Sequence, residues 1–420
     1  MGVTDDAGRT GTGMGPEKIF TGYFICVLTY SFISQLTMQM TNYVLPLFVV
    51  NALQSKATMS GVLAAVFAAG SMACRFTTGG LTDRFGRRRM MILGMGIVTL
   101  AMFTFGATQL VSVIVLMKFV QGVGHSINTT ASNSAASDVL PKSKLGEGIG
   151  YYGLTSTIVG AFGPMFCLAM MRSKMLNPWG FDFNYSLPMT VGGGLGLVAV
   201  LLAFSLVYEK KWGLSFSQAA KKKFSIHDYI EVRSLVPAVL QFFQSIATGA
   251  GMFLVLYMTD RGLFDFMSKY YFVMATVVTV VTRMTLGKMA DRMKPRFVIF
   301  SMVCLQAVAY LVLAAYPGKP ALIATGIVSG VFSAMIQPTL NALALKSAPT
   351  ARAGAASATY WLGFDAGMAV GPTVFGMVVD AAGYSNSFVV GAVCMAVFAA
   401  VVLVVLRRTP AMRDIVQPTS

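Results

Sequence analysis

Charge is scarce in this 420-residue chain: only 11% of its residues are Asp, Glu, Lys or Arg, and acids number 16 against 32 Lys and Arg. Soluble domains carry about a quarter charged residues, so one or two water-facing globular domains are excluded. Metal and redox chemistry are equally poorly provided for. The five cysteines (Cys26, Cys74, Cys167, Cys304, Cys394) each lie inside an apolar run without CxxC or ligand spacing, and read as reduced, buried packing residues. No phosphate-cradling glycine loop, metal-ligand cluster or Ser/His/Asp arrangement occurs. No cofactor, no metal and no enzymatic role are therefore expected. Residues 1–17 lack the basic, apolar and small-residue segments of a signal peptide. They are expected to form a disordered cytoplasmic tail.

What abounds is apolar surface, with 55% hydrophobic residues, 42 glycines and 29 methionines. Small residues let membrane helices approach closely. Apolar runs of about 20 residues, the length that crosses about 30 Å of hydrocarbon, recur about twelve times: 19–45, 59–81, 90–109, 111–137, 146–171, 186–208, 234–259, 267–289, 296–315, 320–345, 353–380 and 384–406. The predicted fold is all-α integral membrane, with twelve transmembrane helices.

Basic residues give the orientation, because retained positive charge marks cytoplasmic loops. With the N-terminus inside, 23 of the 32 Lys and Arg fall in cytoplasmic segments, six outside and three within spans. A multi-pass protein of the cell (inner) membrane with both termini cytoplasmic follows, 407–420 being the second tail. The net charge of +16 then reflects topology and anionic lipid, with no nucleic-acid partner. Residues 209–233 mix Lys210, Lys211 and Lys221 to Lys223 with Trp212, Phe216, Phe224 and Tyr229. This segment is a basic cytoplasmic linker resting on the membrane face; a regulatory, lipid-sensing role is the other reading.

The second half repeats the first at one spacing. Gly79 and Gly287 lie 208 apart, and the same spacing joins Arg75 to Arg283, Asp83 to Asp291, Arg84 to Arg292, Arg88 to Arg296, Pro141 to Pro349, Tyr152 to Tyr360 and Gly163-Pro164 to Gly371-Pro372. A gapless register across four spans points to two equivalent six-helix bundles, 18–208 and 234–406.

The densest polar stretch is Gly79-Gly80-Leu81-Thr82-Asp83-Arg84-Phe85-Gly86-Arg87-Arg88-Arg89, read as a tight glycine-rich turn between spans two and three. The run from Gly79 to Met91 resembles the signature loop of the major facilitator superfamily. Lys118-Phe-Val-Gln121-Gly122-Val-Gly124 resembles that family's fourth-helix motif, with Lys118 for the usual Arg. Asp138-Val-Leu-Pro141 with Gly146-Glu147-Gly148 is similar to the fourth-to-fifth junction of bacterial members, and Gly160-Ala-Phe-Gly163-Pro164 to part of the fifth-helix motif of proton-driven antiporters. The resemblance spans the chain and implies a twelve-helix, drug/proton-antiporter-like transporter working by alternating access. It also implies an inner gate built from Gly79, Asp83, Arg84, Gly86, Arg87 and Arg88. In that gate Asp83 faces the start of helix eleven, about Arg352 to Ala355, and Arg87 pairs with Asp138. In the second copy Asp291 is kept, but Arg87 becomes Pro295 and Asp138 becomes Lys346. The gate is expected to be asymmetric.

By the same analogy helices one, four, seven and ten line a solute path between the bundles, and each carries a polar stripe. Helix one has Gln35, Gln39 and Asn42; helix four Lys118, Gln121, His125, Asn128 and Ser132; helix seven Gln241, Gln244, Ser245 and Thr248; helix ten Ser329, Ser333, Gln337 and Asn341. Any one Ser or Thr can satisfy its own helix backbone; the set as a whole is harder to explain that way. Ionisable groups inside a bilayer are costly and mark function. Asp365, in the middle of span eleven, fits either a proton carrier or the fixed partner of a buried cation or hydroxyl. His125, two turns after Lys118, fits either a proton relay or a neutral hydrogen-bonding group. Glu147, at the start of span five, also suits the positive end of that helix as a cap. Aromatic and Met residues in the spans favour an amphipathic organic molecule over a small ion.

These features describe a secondary active transporter of a small organic solute, with protons as coupling ion, acting as a monomer in the bilayer, most directly in efflux. The alternative is a proton-coupled importer or uncoupled facilitator of a sugar, organic acid or metal-chelating metabolite. Helix one has no acidic residue, and the fifth-helix motif ends in Cys167-Leu168 in place of glycines. A receptor or membrane enzyme on the same scaffold is disfavoured by the short outside loops and the missing catalytic sets.

Overall fold

A backbone amide in hydrocarbon has no water to bond, so each apolar run closes its hydrogen bonds within its own segment. The computed structural model describes residues 18–141, 144–175, 177–207, 230–290, 294–348 and 353–408, and among them regular structure is helical throughout. The helices of the first half are α1 (Gly22–Leu47), α2 (Ala57–Phe85), α3 (Arg87–Ala107), α4 (Val111–Asp138), α5 (Leu145–Met170) and α6 (Ser186–Ser205). α7 starts as Leu235–Ala247, tightens into a 3-10 stretch at Thr248–Phe253 and ends as Leu254–Asp260. α8 starts at Phe264–Phe266, passes a π turn at Met267–Tyr271 and continues as Phe272–Ala290. α9 (Pro295–Ala315) and α10 (Lys319–Lys346) follow. The last run, Ala353–Arg408, bends at Gly383 (φ 83°, ψ 171°) and divides there into α11 (353–382) and α12 (384–408).

Ten helical runs among the described residues are long and apolar enough to cross a membrane, α11 and α12 counting as one. α1 falls short because its Ser, Thr, Gln and Asn residues dilute it. The expected count of twelve is consistent with this.

The repeat governs where helices begin. α9 starts 208 residues after α3 (295 − 87), α10 after α4 (319 − 111) and α11 after α5 (353 − 145). The halves also differ at their last turn: residues 171–185 separate α5 from α6, whereas Gly383 marks the bend from α11 into α12.

Two compact units are present. The first holds the described residues of Met1–Thr41, Gly70–Val159 and Ser186–Phe224; the second those of Asn42–Ala69, Gly160–Tyr185 and Ser225–Ser420. In the first, α3 and α4 touch through their backbones, since a Cβ added at Gly94 would lie 2.6 Å from the Asn128 nitrogen. In the second, α11 lies on α7 along Gly363, Gly367 and Gly371: a Cβ at Gly367 would meet Ser245 Cβ at 2.5 Å, and one at Gly371 would meet Ile246 Cα at 2.9 Å. Small residues four apart let the two backbones make this approach. The boundary between the units crosses α1, α2 and α5, whose ends remote from Gly79–Arg89 belong to the second unit.

Candidate functional site

The charged stretch is mostly helix, which corrects its reading as a glycine-rich turn. α2 continues through Phe85 and α3 begins at Arg87, so the reversal falls on Gly86 alone, at φ 91° and ψ 151°. That conformation is essentially restricted to glycine. Gly79 sits inside α2, and a Cβ there would meet nothing within 4 Å. The helix persists because hydrogen bonding within the segment outweighs the weak helix preference of two glycines at the membrane face.

The basic residues after the reversal bind helix ends together. Arg87 Nε lies 2.9 Å from Asp138 Oδ2, joining the first turn of α3 to the last residue of α4. Arg88 Nη2 donates to the Phe204 carbonyl at 2.7 Å, capping the end of α6, and its guanidinium lies 5.8 Å from the Phe204 ring centre. A cation on the unsatisfied carbonyls of a helix C-terminus is favoured by both hydrogen bonding and the helix dipole. Arg84 is exposed beside the Phe85 ring. The Asp83 side chain, Arg352 at the expected start of helix eleven and the second-copy Asp291 lie outside the described residues, and with them the expected contact of Asp83 with that helix start. Pro295 takes the position of Arg87 as the first residue of α9, where its missing N–H costs nothing.

In the first unit α4 carries a buried polar chain. Lys118 Nζ donates to Gln121 Oε1 at 3.1 Å and lies 5.9 Å from the Phe105 ring centre; Gln121 Nε2 donates to Thr41 Oγ1 at 2.9 Å. Two turns further on, Asn128 Nδ2 donates to Ser34 Oγ at 2.6 Å, and the Tyr30 hydroxyl meets both Asn128 Oδ1 and the Met91 carbonyl. Tyr152 on α5 donates to Ser132 Oγ at 3.0 Å. Gln35, Gln39 and His125 are half-buried along the same helices.

In the second unit Gln241 is the hub. Its Oε1 accepts from the Tyr360 hydroxyl at 2.9 Å, and its Nε2 donates to Gln244 Oε1 at 2.7 Å and Ser245 Oγ at 3.1 Å. The Tyr360 hydroxyl also reaches the Gln337 carbonyl at 3.3 Å. Asp365, five residues after Tyr360, is buried at 6% exposure. Opposite the Gly371-Pro372 step, α7 leaves regular geometry at Thr248–Phe253, where a Cβ at Gly249 would lie 2.8 Å from the Gly371 carbonyl carbon. A 3-10 stretch inside a long helix is a weak point at which it can bend.

Other expected residues lie apart from these chains. Glu147 is exposed and accepts from the Tyr151 hydroxyl at 3.4 Å, and Ser333 is exposed. Sequence reasoning overlooked Tyr30, the hydrogen-bonding role of Tyr360, the Arg88 cap and the Gly363-Gly367-Gly371 ridge. Of these, the ridge left a legible signal in its spacing of four. Among the described residues no three His, Cys, Asp or Glu gather as a metal site.

Repeated apolar helices long enough to cross a membrane, with buried polar chains between them, fit an integral membrane transporter of small solutes. The chain belongs to the Major Facilitator Superfamily, whose sequence profile matches residues 27–360 and 267–419. An uncharacterized MFS-type transporter of Methanocaldococcus jannaschii is 21% identical over 336 residues, 78% of this chain and 84% of that one. Multidrug resistance protein 2 of Bacillus subtilis is 28% identical over 141 residues, 34% of this chain and 35% of that one. Among solved structures, a bacterial homologue of the human lysosomal transporter Spinster shares the fold with a TM-score of 0.75 at 13% identity, covering 97% of this chain and 100% of that one. The nucleoside transporter NupG shares it with a TM-score of 0.71 at 12% identity, covering 93% and 100%.

Proposed function

We propose that this transporter exports a small, partly apolar organic solute by alternating access, driven by protons. The observation that carries the reading is the burial of two ionisable side chains, Lys118 in the first unit and Asp365 in the second, each 6% exposed on a helix that hydrogen-bonds into a buried amide network, around Gln121 and Gln241 respectively. Charge at such depth is costly and is kept for a use. Protonation of Asp365, assisted by His125, shifts the balance between two transport states, because a ligand moves an equilibrium only through its different affinity for them. The likeness to a multidrug protein over a third of the chain supports efflux. Met38 beside Gln121, and the Trp361 and Phe364 rings packed on each other just before Asp365 in the sequence, support an amphipathic solute. The basic residues support cytoplasmic termini.

A panel of dyes and metabolites in inverted vesicles tests this. An inside-acid gradient drives solute inward in exchange for protons, and Asp365→Asn uncouples that flux. A flux indifferent to both the gradient and the substitution removes proton coupling through Asp365.

Import or facilitated passage of an organic acid is the second reading, favoured by the buried Lys118, a cation suited to a carboxylate. It predicts saturable uptake into intact cells that Lys118→Met abolishes.

A further inference from the structure

Two contacts at the helix ends remote from Gly79–Arg89 are related by the same spacing that relates the halves. Asp380, near the end of α11, sits on the first turn of α2. Its Oδ1 accepts from the Ala57 amide at 2.7 Å and its Oδ2 from the Thr58 amide at 2.9 Å, with the Thr58 hydroxyl on the same oxygen. Arg172, just past the end of α5, forms an ion pair with Asp265 in the first turn of α8, its guanidinium 5.4 Å from the Phe264 ring centre. The positions correspond, since 380 − 172 = 208 and 265 − 57 = 208.

The same contact is thus made twice, once in each direction between the sequence halves, with inverted charge. In one case an anion meets open helix amides; in the other a cation meets a carboxylate. Both arrangements put negative charge at the positive end of a helix. Asp380 has no such benefit on its own helix, where it stands near the negative end.

Packing at this end follows the same geometry. A Cβ at Gly61 would collide with the Pro372 carbonyl, and one at Gly376 would lie 2.7 Å from Thr58 Cα. Tyr43 meets Phe272 and Phe183 meets Phe264, each pair with ring centres 5.0 Å apart. All these residues belong to the second unit.

We propose that Asp380 on the first turn of α2, together with Arg172 on Asp265, forms a two-point latch that holds this end shut in one transport state and parts in the other. The proposal rests on the transport reading, and the distribution of Lys and Arg places the latch on the outer face. Its members suit a reversible closure. Arg172 and Asp265 are 43% and 57% exposed, so water can replace each partner when the ends separate. At Gly61 and Gly376 the backbones approach closely with no side chain of their own to interlock.

The test reads opening directly. Ser268, one turn after Asp265 and buried, is replaced by Cys in the full-length chain, and its reaction with a membrane-impermeant maleimide on intact cells is followed by peptide mass spectrometry. Asp380→Asn and Asp265→Asn are each expected to raise the labelling rate at position 268 at least about fivefold by shifting population toward the open end. Asp182→Asn, an exposed carboxylate in the 171–185 loop, leaves it unchanged. Arg172→Asp combined with Asp265→Arg labels more slowly than either single variant.

Latch variants that label no faster than wild type, or no faster than Asp182→Asn, overturn the proposal. So does a charge swap that labels as fast as its single variants, which removes the ion pair from the latch. Labelling confined to inverted vesicles overturns the outer placement. Because no solute is involved, failure of proton-coupled export in the vesicle assay leaves these outcomes readable.

Discussion

Arg87 and Asp138 form an ion pair in which each partner stands at the unfavourable end of its own helix: a cation on the first residue of α3 and an anion on the last residue of α4. Neither placement suits the helix dipole, so their pairing offsets both. Removing one partner by Asp138→Asn or Arg87→Gln is expected to cost about 1–3 kcal/mol, because the groups are mostly buried and the remaining charge loses its partner. Exchanging them, Arg87→Asp with Asp138→Arg, restores the pair and satisfies both dipoles. The double variant should melt at or above the wild-type temperature in detergent; a midpoint as low as the single variants contradicts the dipole argument.

Gly86 and Gly79 separate a conformational requirement from a merely small residue. Gly86→Ala forces a side chain into φ 91°, ψ 151° and is expected to lose about 1–3 kcal/mol. Gly79→Ala lies in open space inside α2 and should gain up to about 1 kcal/mol from helix propensity. Thermal unfolding of the two purified variants side by side gives the comparison, and equal losses would show that α2 does not continue through Gly79.

Gly367→Ala places a Cβ 2.5 Å from Ser245 Cβ and 2.6 Å from the Phe242 carbonyl, so α11 must lift from α7. Overpacking of this kind costs about 1–3 kcal/mol. Gly194→Ala on α6, where the added carbon meets nothing within 4 Å, is the matched control and should be neutral or stabilising. A melt showing both variants unchanged would mean the ridge is not in contact.

Tyr152 and Tyr360 occupy equivalent places in the repeat, yet removing their hydroxyls should not have equal effects. Tyr152→Phe leaves Ser132, whose hydroxyl also bonds the Thr129 carbonyl at 3.3 Å, and is expected to cost about 0.5–1 kcal/mol. Tyr360→Phe leaves Gln241 Oε1 short of a donor in a buried network, and about 1–2 kcal/mol is expected. The order of the two melting midpoints is the measurement, with Tyr360→Phe the lower.

Much of the architecture can be read along the chain because hydrocarbon acts on residues one stretch at a time. Span lengths, the scarcity of charge and the 208-residue register need no knowledge of what packs on what, and the starts of α3 with α9, α4 with α10 and α5 with α11 follow that register. The polar stripes on α4 and α7 were legible for the same reason, a helical period marking one face. The charged stretch was misread beyond residue 81, where span two was expected to end: α2 stays helical through Phe85, because a chain closing its hydrogen bonds within its own segment has no better option, and only Gly86 reverses it.

Partners across helices belong to another kind of information. That Arg88 caps α6, that Gly363, Gly367 and Gly371 lie on α7, and that Asp380 reaches Ala57 and Thr58 depend on where helices cross. Crossing points are decided by all the side chains in contact at once. Composition, hydropathy and the repeat by themselves therefore determined a many-span helical membrane protein of duplicated design, and the motif resemblance added its family. Only the folded chain decided which ends are tied together, and by which charges, because a hydrogen bond between residues 323 positions apart exists only once packing has brought them within 3 Å.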